Sequence, residues 1–449
     1  MISAISWVPK GASKAVPSEV EPPSKEEIEE MLKNGSLDRS EDIEDEKEDM
    51  DVDTAKRTDE VAQALAAADA VGKASETGNG TKDIENALKG LDMDHYDDED
   101  GGIELFSTGP GDTYYPSNEL DPYLKDKDDD DEEVEDTTIK PSDAVIICAS
   151  NEDDVCILEE FEDGEHNLFS HHDIILPAFP LCTAWLDCGL KGGDKGNFVA
   201  VGSMDPAIEI WDLDVIDEVQ PIMSSVKYKP DSHTDSVLGL AWNKTVRKYL
   251  ASASADTSVQ AVDWNKHVPD VLLSGSFDHS VVLVDMRYPS HTGIKSEVAS
   301  DVESLAWDPH DQHSFVVSLE DGTVQSFDVR AAASNPASGC KPCFTLHAHD
   351  KAVSTVSFNP AAPKMLATGS TDKTVKLWDL ANNQPSCVAS RNPKAGAVFS
   401  ISFSEDSPFL LAIGGSKGSL QIWDTLTETG IAQRFGKNSK GKADSKTEE

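Results

Sequence analysis

The 449-residue sequence carries 84 Asp and Glu against 38 Lys and Arg, a formal net charge of −46. A chain this acidic is not expected to bind an anionic membrane or to read nucleic-acid sequence directly, and its charge favours basic protein partners such as histones, ribosomal proteins or assembly factors. The sequence shows neither a membrane-spanning apolar run nor an N-terminal secretion signal. Its seven scattered cysteines favour reduced thiols in an intracellular protein.

The first predicted element is a β-strand within residues 1–11. The stretch "ISAISWVPKG" (2–11) matches "VSTVSFNPAA" (353–362), with Trp7 aligned on Phe358 and Pro9 on Pro360. The later stretch begins one unit of a repeat described below. Residues 1–11 are therefore predicted to supply the innermost strand of the first unit.

Residues 12–142 are predicted to form a long insertion in that first unit. Residues 19–140 hold 41 Asp and Glu against 12 Lys and Arg, which accounts for 29 of the 46 net negative charges. Blocks of like charge repel one another and stay solvated, so most of the insertion is expected to be disordered. A short helix is predicted at 24–34, between an N-capping Ser24 and Gly35.

An aromatic-rich segment at 103–124 interrupts this polar insertion. So many aromatic residues are unusual in a disordered spacer, so the segment is predicted to dock on a folded surface, either the chain's own or a partner's. Ser40 precedes an acidic block and is a candidate for phosphorylation by an acid-directed kinase. The candidate partner-binding residues are the tyrosines of this segment and the acidic run after it: Tyr114, Tyr115, Tyr123, Asp128, Asp129, Asp130, Asp131, Glu132 and Glu133.

From residue 143 onward the sequence repeats short strands and tight turns. The stretches 302–330, 353–380 and 398–425 each contain a strand, a turn, a strand ending in small residues, a turn with Asp, and a strand ending in an aromatic–Asp pair or its equivalent. This is the WD repeat, and it predicts an all-β, seven-bladed type of propeller over residues 143–436. The most typical aromatic–Asp positions are Trp211, Asp212, Phe327, Asp328, Trp378, Asp379, Trp423 and Asp424.

The end of the repeat region gives two further predictions. Residues 431–435 ("IAQRF") are expected to form the outer strand of the last blade, because the ring needs a fourth strand there. Residues 437–449 are lysine-rich and polar, and a disordered tail is predicted.

The third blade is predicted to be truncated. Trp242 and Trp264 both end innermost strands but lie only 22 residues apart, and the aromatic–Asp positions on either side are 73 residues apart, against 43 to 53 elsewhere. About twenty residues, a third and a fourth strand, are missing after Asp256. A shortened isoform or gene model would explain this, and so would a natural two-stranded blade. The first explanation is favoured, since two inner strands alone leave an unpaired edge.

His349 directly precedes an innermost strand, a position at which WD repeats use a histidine in a buried hydrogen-bonded group. The role expected for this group is structural, because each of its polar atoms is satisfied by another member. The predicted members are His349, Ser370 (or Thr368), Asp372 and Trp378; His233, Ser254 and Asp256 would form a second group without a tryptophan.

No catalytic or metal-binding arrangement is recognisable, so neither an enzyme activity nor a cofactor is predicted. The "CKPC" stretch (340–343) lacks the two further ligands that zinc needs. Arg287 in "LVDMR" and Arg330 in "SFDVR" resemble the WDxR element of cullin ubiquitin-ligase substrate receptors, where they would contact the ligase adaptor. The alternative interpretation is an arginine that pairs with acidic groups of its own blade.

The sequence resembles the periodic tryptophan protein one family of eukaryotic WD-repeat proteins. The resemblance rests on "ISAISWVPKG", "SKEEIEEML", "FSTGPGDTYYPSNELDPYL", "DAVIICASNEDDVCILEEFE" and "VLLSGSFDHSVVLVDMR". It implies a nuclear and nucleolar protein with a role in ribosome biogenesis and rRNA production and an association with chromatin.

Three functions follow as hypotheses. The first is a non-catalytic scaffold in ribosome biogenesis, bound to pre-ribosomal particles in the nucleolus. The second is a chromatin- or histone-associated regulator of transcription. The third is a substrate receptor of a cullin-type ubiquitin ligase, which would require Arg287 or Arg330 to be exposed on a blade edge.

Overall fold

The structure is a computed structural model that describes residues 1–19, 138–150, 154–160, 166–190, 195–216, 218, 220–224, 232–288, 293–333 and 340–440. In these residues the fold is an all-β WD40 propeller. Five of its antiparallel sheets have four strands each, one has two and one has three. None of the helices in this part of the chain is long and apolar enough to cross a membrane.

Each of these sheets is built from strands that follow one another along the chain, except that β2 (Ser18–Glu19) and β9 (Val215–Ile216) are left out and pair with each other. Sheet 1 contains β1 (Ile2–Val8), β3 (Ala144–Ser150), β4 (Asp154–Glu160) and β5 (His166–Asp173). Sheet 2 contains β6 (Pro180–Leu186), β7 (Phe198–Ser203), β8 (Ile208–Asp212) and β10 (Met223–Ser224). Sheet 3 contains β11 (Val237–Trp242) and β12 (Leu250–Ser254), and sheet 4 contains β13 (Val259–Trp264), β14 (Val271–Ser276), β15 (Ser280–Asp285) and β16 (Ile294–Glu297).

The remaining sheets continue the series. Sheet 5 contains β17 (Val302–Trp307), β18 (Ser314–Leu319), β19 (Thr323–Asp328) and β20 (Pro342–His347). Sheet 6 contains β21 (Thr355–Phe358), β22 (Met365–Gly369), β23 (Val375–Asp379) and β24 (Ser386–Arg391). Sheet 7 contains β25 (Val398–Phe403), β26 (Leu410–Gly415) and β27 (Gln421–Asp424).

The innermost strands form a closed ring. They contact one another in the order β1, β6, β11, β13, β17, β21 and β25, and β25 contacts β1 again. β1 pairs antiparallel with β3 from Ile2 to Val8, so the N-terminal strand is the innermost strand of sheet 1 although about 130 residues separate the two strands in sequence. The loop-closure free energy rises only with the logarithm of loop length, so a connection of this length adds only a few kcal/mol to the cost of the pairing.

The core lies between neighbouring sheets. Strand side chains alternate between the two faces, so each sheet packs one apolar face on the preceding sheet and the other on the next. Sheets 6 and 7, for example, bury Met365, Leu377 and Trp423 between them, each at most 1% exposed. Each blade thus depends on its neighbours for burial, as expected of repeat folds.

Both described ends of the long connection are held against the ring. β2 (Ser18–Glu19) pairs parallel with β9 (Val215–Ile216), which follows the third strand of sheet 2. The Ile139 amide donates to the Ala15 carbonyl at 2.8 Å, which joins the outgoing and returning segments. The predicted helix at 24–34 and the aromatic segment at 103–124 lie outside the described residues.

The prediction of an outer strand at 431–435 is wrong. These residues belong to an α-helix, α2 (Thr429–Phe435). The other α-helix among the described residues, α1 (Val329–Ala333), is a single turn after the third strand of sheet 5. Ile431 and Phe435 are four residues apart, so a helix places both on one face, and both are buried in the core beside Trp423. A 3-10 helix continues over Gly436–Lys440, where a tail was predicted, and residues 441–449 are not described.

Candidate functional site

The innermost strands all carry an aromatic side chain at the same end of the ring. The repeat makes these strands equivalent, so the aromatic residues, each the last or the second-last residue of its strand, lie toward one mouth of the central channel. The aromatic residues are Trp7, Trp185, Trp242, Trp264, Trp307, Phe358 and Phe403.

Indole hydrogen bonds connect neighbouring strands around this mouth. Trp264 Nε1 donates to the carbonyl of Ala241 at 3.0 Å, and Trp307 Nε1 donates to the carbonyl of Asp263 at 3.3 Å. Trp7 Nε1 donates to the carbonyl of Ser402 at 3.0 Å and so joins sheet 1 to sheet 7. In each case the acceptor lies one residue before the aromatic residue of the neighbouring strand. These bonds are therefore a repeated device that closes the ring.

A cavity of about 480 Å³ opens at this mouth. Its volume lies in the range of ligand-binding pockets and would admit a side chain or a short turn of a partner protein. It is lined by the ends of β1, β6, β11, β13 and β25 and includes Trp7, Trp185, Trp242, Trp264, Asp263, Glu405 and Asp406. These residues are the candidate functional site and are called the channel mouth below.

Charged groups are set among the indoles of the channel mouth. Lys244 Nζ, at the end of β11, pairs with Glu405 Oε1 of the loop after β25 at 2.6 Å, and both side chains are about half exposed. The Lys10 amide donates to Asp406 Oδ2 at 2.7 Å. The segments that follow β1 and β11 are thus both joined, through carboxylates, to the loop after β25 at the rim of the cavity.

Asp263 is the least exposed of the acidic residues that line the channel mouth. It accepts a hydrogen bond from the Trp307 amide at 3.0 Å, and no ion pair to it exists among the residues described. Burial raises its pKa, and the nearby Lys266 opposes part of that increase. Indoles and carboxyl groups in one cavity offer cation–π and ionic contacts to an incoming lysine or arginine side chain, although Lys244 and Lys266 also line the cavity.

Within the described ranges no group of three His, Cys, Asp or Glu side chains is placed to hold a metal ion. In the "CKPC" stretch Cys340 is buried and Cys343 is exposed, and both are free thiols. Partial desolvation of the thiol and the nearby Asp328 carboxylate still raise the pKa of Cys343, which disfavours the reactive thiolate.

The predicted histidine-centred group of sheet 6 contains Thr368 and not Ser370. His349 Nδ1 bonds to Asp372 Oδ2 at 2.9 Å, His349 Nε2 bonds to Thr368 Oγ1 at 2.8 Å, and Trp378 Nε1 donates to Thr368 Oγ1 at 3.0 Å. The Ser370 hydroxyl instead accepts from the Asp372 amide and stabilises the turn. Thr368 and Trp378 lie on the same face of β22 and β23, which explains why the hydroxyl four residues before the aspartate is the one used.

Sheet 3 repeats this arrangement without the tryptophan. His233 Nδ1 bonds to Asp256 Oδ2 at 3.0 Å, and His233 Nε2 bonds to Ser252 Oγ at 2.8 Å. Ser254, the hydroxyl predicted from the sequence, accepts from the Asp256 amide in the turn, as Ser370 does in sheet 6. The correction is the same in both sheets.

The aromatic–Asp residues at the ends of third strands are structural. The aromatic rings of Trp211, Phe327, Trp378 and Trp423 lie between the sheets and are at most 6% exposed. The aspartates accept hydrogen bonds from backbone amides of the following turns: Asp212 from Asp214, Asp328 from Arg330, Asp379 from Ala381 and Asp424 from Leu426.

Arg287 and Arg330 pair with the aspartate two residues earlier in their own sheets. Arg287 Nε donates to Asp285 Oδ1 at 2.8 Å, and Arg330 Nε donates to Asp328 Oδ1 at 2.9 Å. The paired carboxylate raises the pKa of each guanidinium. Each arginine thus pairs with an acidic group of its own blade, which was the alternative to a contact with a ligase adaptor. Both side chains remain more than half exposed.

The residues predicted to bind partners lie outside the part of the chain that the structure describes. They are Tyr114, Tyr115, Tyr123, Asp128, Asp129, Asp130, Asp131, Glu132, Glu133 and the candidate phosphorylation site Ser40.

The channel mouth itself was not predicted as a site. The available signal was the recurrence of Trp or Phe at the end of every innermost strand, from Trp7 to Phe403. That recurrence locates the blades, but only ring closure shows that side chains almost 400 residues apart line one cavity.

Comparison with known proteins agrees with the fold. The WD domain, G-beta repeat family matches residues 340–379 and 385–424, which contain parts of sheets 5, 6 and 7. Together with the five four-stranded sheets, this defines the chain as a WD40 propeller.

Relatives of the whole chain define the family. Periodic tryptophan protein 1 of Saccharomyces cerevisiae is 30% identical, over 89% of this chain and 83% of the yeast protein. An uncharacterized WD repeat-containing protein of Schizosaccharomyces pombe is 34% identical over the same shares, and the Periodic tryptophan protein 1 homolog of Drosophila melanogaster is 30% identical over 57% of this chain and 61% of its own length. The chain belongs to the periodic tryptophan protein 1 family.

Proposed function

We propose that this chain is a non-catalytic WD-repeat scaffold that acts in ribosome biogenesis, in the production or processing of pre-rRNA and the assembly of pre-ribosomes in the nucleolus. Membership of the periodic tryptophan protein 1 family supports the process. The propeller supports the mode of action, since it presents a rigid rim and a channel mouth and its notable histidines and arginines serve its own structure.

The channel mouth carries the proposal. Trp7, Trp185, Trp242 and Asp263 all line one cavity that is large enough for a side chain. A basic segment of a ribosomal protein or assembly factor would place a lysine or arginine there. The 29 net negative charges of residues 19–140 would speed the encounter with such a partner.

The ring is of the seven-bladed type in this proposal, with a third blade reduced to sheet 3. The circular order of the seven innermost strands supports that count. A basic partner would then meet a complete inner ring, even though sheet 3 is incomplete on the outside.

A chromatin- or histone-associated regulator is the second candidate. The same observation favours it, because histones are as basic as ribosomal proteins and acidic segments attract both. Arg287 and Arg330 give the ubiquitin-ligase hypothesis no comparable support, since their guanidinium groups are already paired with Asp285 and Asp328.

Affinity purification from nuclear extract would test these functions. The tagged full chain would be washed at low and at high salt and the bound proteins and RNAs identified, beside an Asp263→Asn variant and a Glu297→Gln control on the exposed outer strand of sheet 4. We expect assembly factors and precursor rRNA to survive high salt with the wild type and the control, and to be reduced with Asp263→Asn. Recovery of histones alone, and only at low salt, would favour the chromatin function.

A further inference from the structure

Sheet 3 ends after two strands and leaves a gap in the outer part of the propeller. β12 ends at Ser254, and the next strand, β13, begins at Val259 as the innermost strand of sheet 4. In sheet 6 the equivalent second strand, β22, pairs along its whole length with β23. The outer edge of β12 has no backbone partner among the described residues.

The wall of sheet 4 that faces this gap is open. In sheet 6 the equivalent positions are Leu366, Thr368 and Trp378, which face the preceding sheet and are 0%, 0% and 6% exposed. Three residues of β14 and β15 occupy these positions in sheet 4 and are only half-buried: Leu272, Ser274 and Val284. The face that should pack on sheet 3 is therefore partly uncovered.

The opposite wall, on sheet 2, is open in the same way. Ile208 and Ile210 occupy the positions of Val375 and Leu377, which are 0% exposed in sheet 6, yet both isoleucines are half-buried. The other face of sheet 2 is closed, with Trp211 1% exposed. The two walls are thus incomplete on the side that faces sheet 3, where a third strand would lie.

Exposed apolar side chains are concentrated in the same part of the propeller. Within the described ranges, sheets 5, 6 and 7 expose no large apolar side chain. Sheets 2, 3 and 4 and their turns expose Leu190, Met204, Met223, Tyr249, Phe277, Met286 and Tyr288. Apolar surface gathered in one region is typical of protein–protein interaction sites.

The histidine group of sheet 3 specifies one residue of an incoming strand. In sheet 6 the Thr368 hydroxyl bonds to His349 and accepts a hydrogen bond from Trp378 Nε1. In sheet 3 the Ser252 hydroxyl bonds to His233 at 2.8 Å, and no indole among the described residues donates to it. A hydroxyl oxygen can accept two hydrogen bonds, so Ser252 keeps a place for the indole N–H of a tryptophan.

The two ends of the gap differ in charge. Asp256 lies in the turn after β12, and Lys248 lies just before β12 at the other end. Lys248 stacks on the Tyr249 ring at 5.2 Å, and no carboxylate pairs with it in the part of the chain that the structure describes. A strand antiparallel to β12 begins at the Asp256 end and finishes at the Lys248 end. Charge complementarity therefore favours a segment with a basic residue before the strand and an acidic residue at its end.

The depth of the gap determines what can enter it. Sheets 2 and 4 each have two strands beyond the level of β12, which is about 10 Å at the usual strand spacing. The same edge of a second copy would bring its own flanking sheets into this space, and they would collide. A single extended segment can enter, bond to the edge and contact both walls, which is the mode known as β-strand addition.

We propose that β12 is a docking site for an extended segment of another protein, five residues long, with tryptophan in the fourth position and an acidic residue in the fifth. In the register of sheet 6 the tryptophan lies opposite Leu250, packs on Ile208 and Ile210, and donates its indole N–H to Ser252. The bound segment completes sheet 3.

The other positions of the segment follow from the same register. Its first and third residues face sheet 4, lie against Leu272 and Val284, and should be apolar. Its acidic fifth residue lies opposite Tyr249, beside Lys248. The partner is thus a protein with an exposed or disordered stretch that reads apolar, any residue, apolar, tryptophan, acidic.

A peptide that copies a third strand of this chain is the probe for the site. Residues 373–380 ("KTVKLWDL") contain the required pattern with a basic residue before it. In the free full chain we expect the outward-facing amides of Leu250–Ser254 to exchange rapidly with solvent. Saturating peptide should slow this exchange at least about tenfold, and a peptide with the same residues in scrambled order should not.

A double-mutant cycle tests the tryptophan contact. Ser252→Ala in the chain and a phenylalanine in place of the peptide tryptophan each remove one partner of the same hydrogen bond. Each change alone should weaken binding about fivefold, and the two together should weaken it no further than one alone. The peptide change cannot affect folding of the chain. Ser390→Ala, on the exposed outer strand of sheet 6, is the matched control and should bind as the wild type does.

Three outcomes would overturn the proposal. Unchanged β12 exchange at about 1 mM peptide would show that the edge does not accept such a strand. Protection of β12 in the free chain would show that the edge is already covered, by a second copy if protection rises with protein concentration and light scattering gives a doubled mass. Additive effects in the cycle would show that the tryptophan does not bond to Ser252.

This docking site is independent of the channel mouth. Asp263→Asn should reduce the capture of assembly factors and leave peptide binding at β12 unchanged, whereas Ser252→Ala should do the opposite for the tryptophan peptide. Failure of the proposed function and failure of this inference are therefore distinguishable.

Discussion

Sheets 3 and 6 start from the same plan and end differently. Both have a histidine before the innermost strand, bonded to a turn aspartate and to a hydroxyl of the second strand. Sheet 6 adds β23, whose Trp378 donates to the same hydroxyl. The His349 side chain is 0% exposed as a result, whereas that of His233 is 26% exposed.

The difference shows that the contacts that close the inner ring do not depend on the third strand that completes a blade. Trp264 Nε1 donates to the carbonyl of Ala241 in sheet 3 in the same way as Trp307 Nε1 donates to the carbonyl of Asp263 in sheet 4. The innermost strand of sheet 3 therefore has the same bond to its neighbour as that of sheet 4. The third strand is needed for burial of the histidine group and of the walls on either side. Four substitution or titration experiments would test this separation.

The largest effect is expected from the histidines. His349→Ala removes one buried hydrogen-bond partner from each of Asp372 and Thr368 and leaves a cavity, and it should lower the free energy of unfolding by about 2–4 kcal/mol. His233→Ala, in the open sheet, should cost less than about 1 kcal/mol. Urea unfolding together with hydrogen exchange of each sheet measures both, and equal losses would contradict the comparison.

Core truncation should show the same asymmetry. Leu366→Ala removes a side chain that is 0% exposed and should cost about 2–4 kcal/mol, while Leu272→Ala, at the equivalent position beside the gap, should cost about 1 kcal/mol. Thermal melts of the two variants provide the measurement. A larger loss at Leu272 would mean that the wall is covered.

The inner ring should respond equally on both sides of sheet 3. Trp264→Phe and Trp307→Phe each remove one indole hydrogen bond and leave its carbonyl acceptor in place, so each should cost about 1 kcal/mol. The two melting temperatures should therefore fall together. A clearly smaller loss for Trp264→Phe would show that the junction with sheet 3 is weaker than an ordinary one.

The smallest effect is a pH dependence centred on sheet 6. Burial lowers the pKa of His349 below its usual 6.5, and the bond to Asp372 opposes part of this shift. The unfolded chain therefore takes up the proton first, and the stabilisation present above pH 6.5 is lost as the pH falls through the folded-state pKa. Melting temperatures measured from pH 7.5 to 5 should decline in the wild type and decline less in His349→Gln.

The sequence alone determined the elements that repeat. Period-two apolar strands, the turn aspartates and the aromatic–Asp pairs are local patterns, and they predicted the propeller and the short third blade. The strand predicted at 431–435 lies outside these repeated patterns, and that prediction is wrong. Residues 431–435 form a helix, because a helix buries Ile431 and Phe435 together on one face.

Only the tertiary structure determined which side chains form the buried hydrogen bonds and which line the cavity. From the sequence, either Ser370 or Thr368 could accept the hydrogen bond of His349. Thr368 does so because it lies on the face of β22 that packs beside Trp378. The channel mouth is a second case, because Trp7 and Phe403 become neighbours only when sheet 7 closes on sheet 1. Periodicity along a chain specifies strands and turns, whereas a cavity or a buried hydrogen bond arises from contacts between residues hundreds of positions apart, and the closure of the ring determines those contacts.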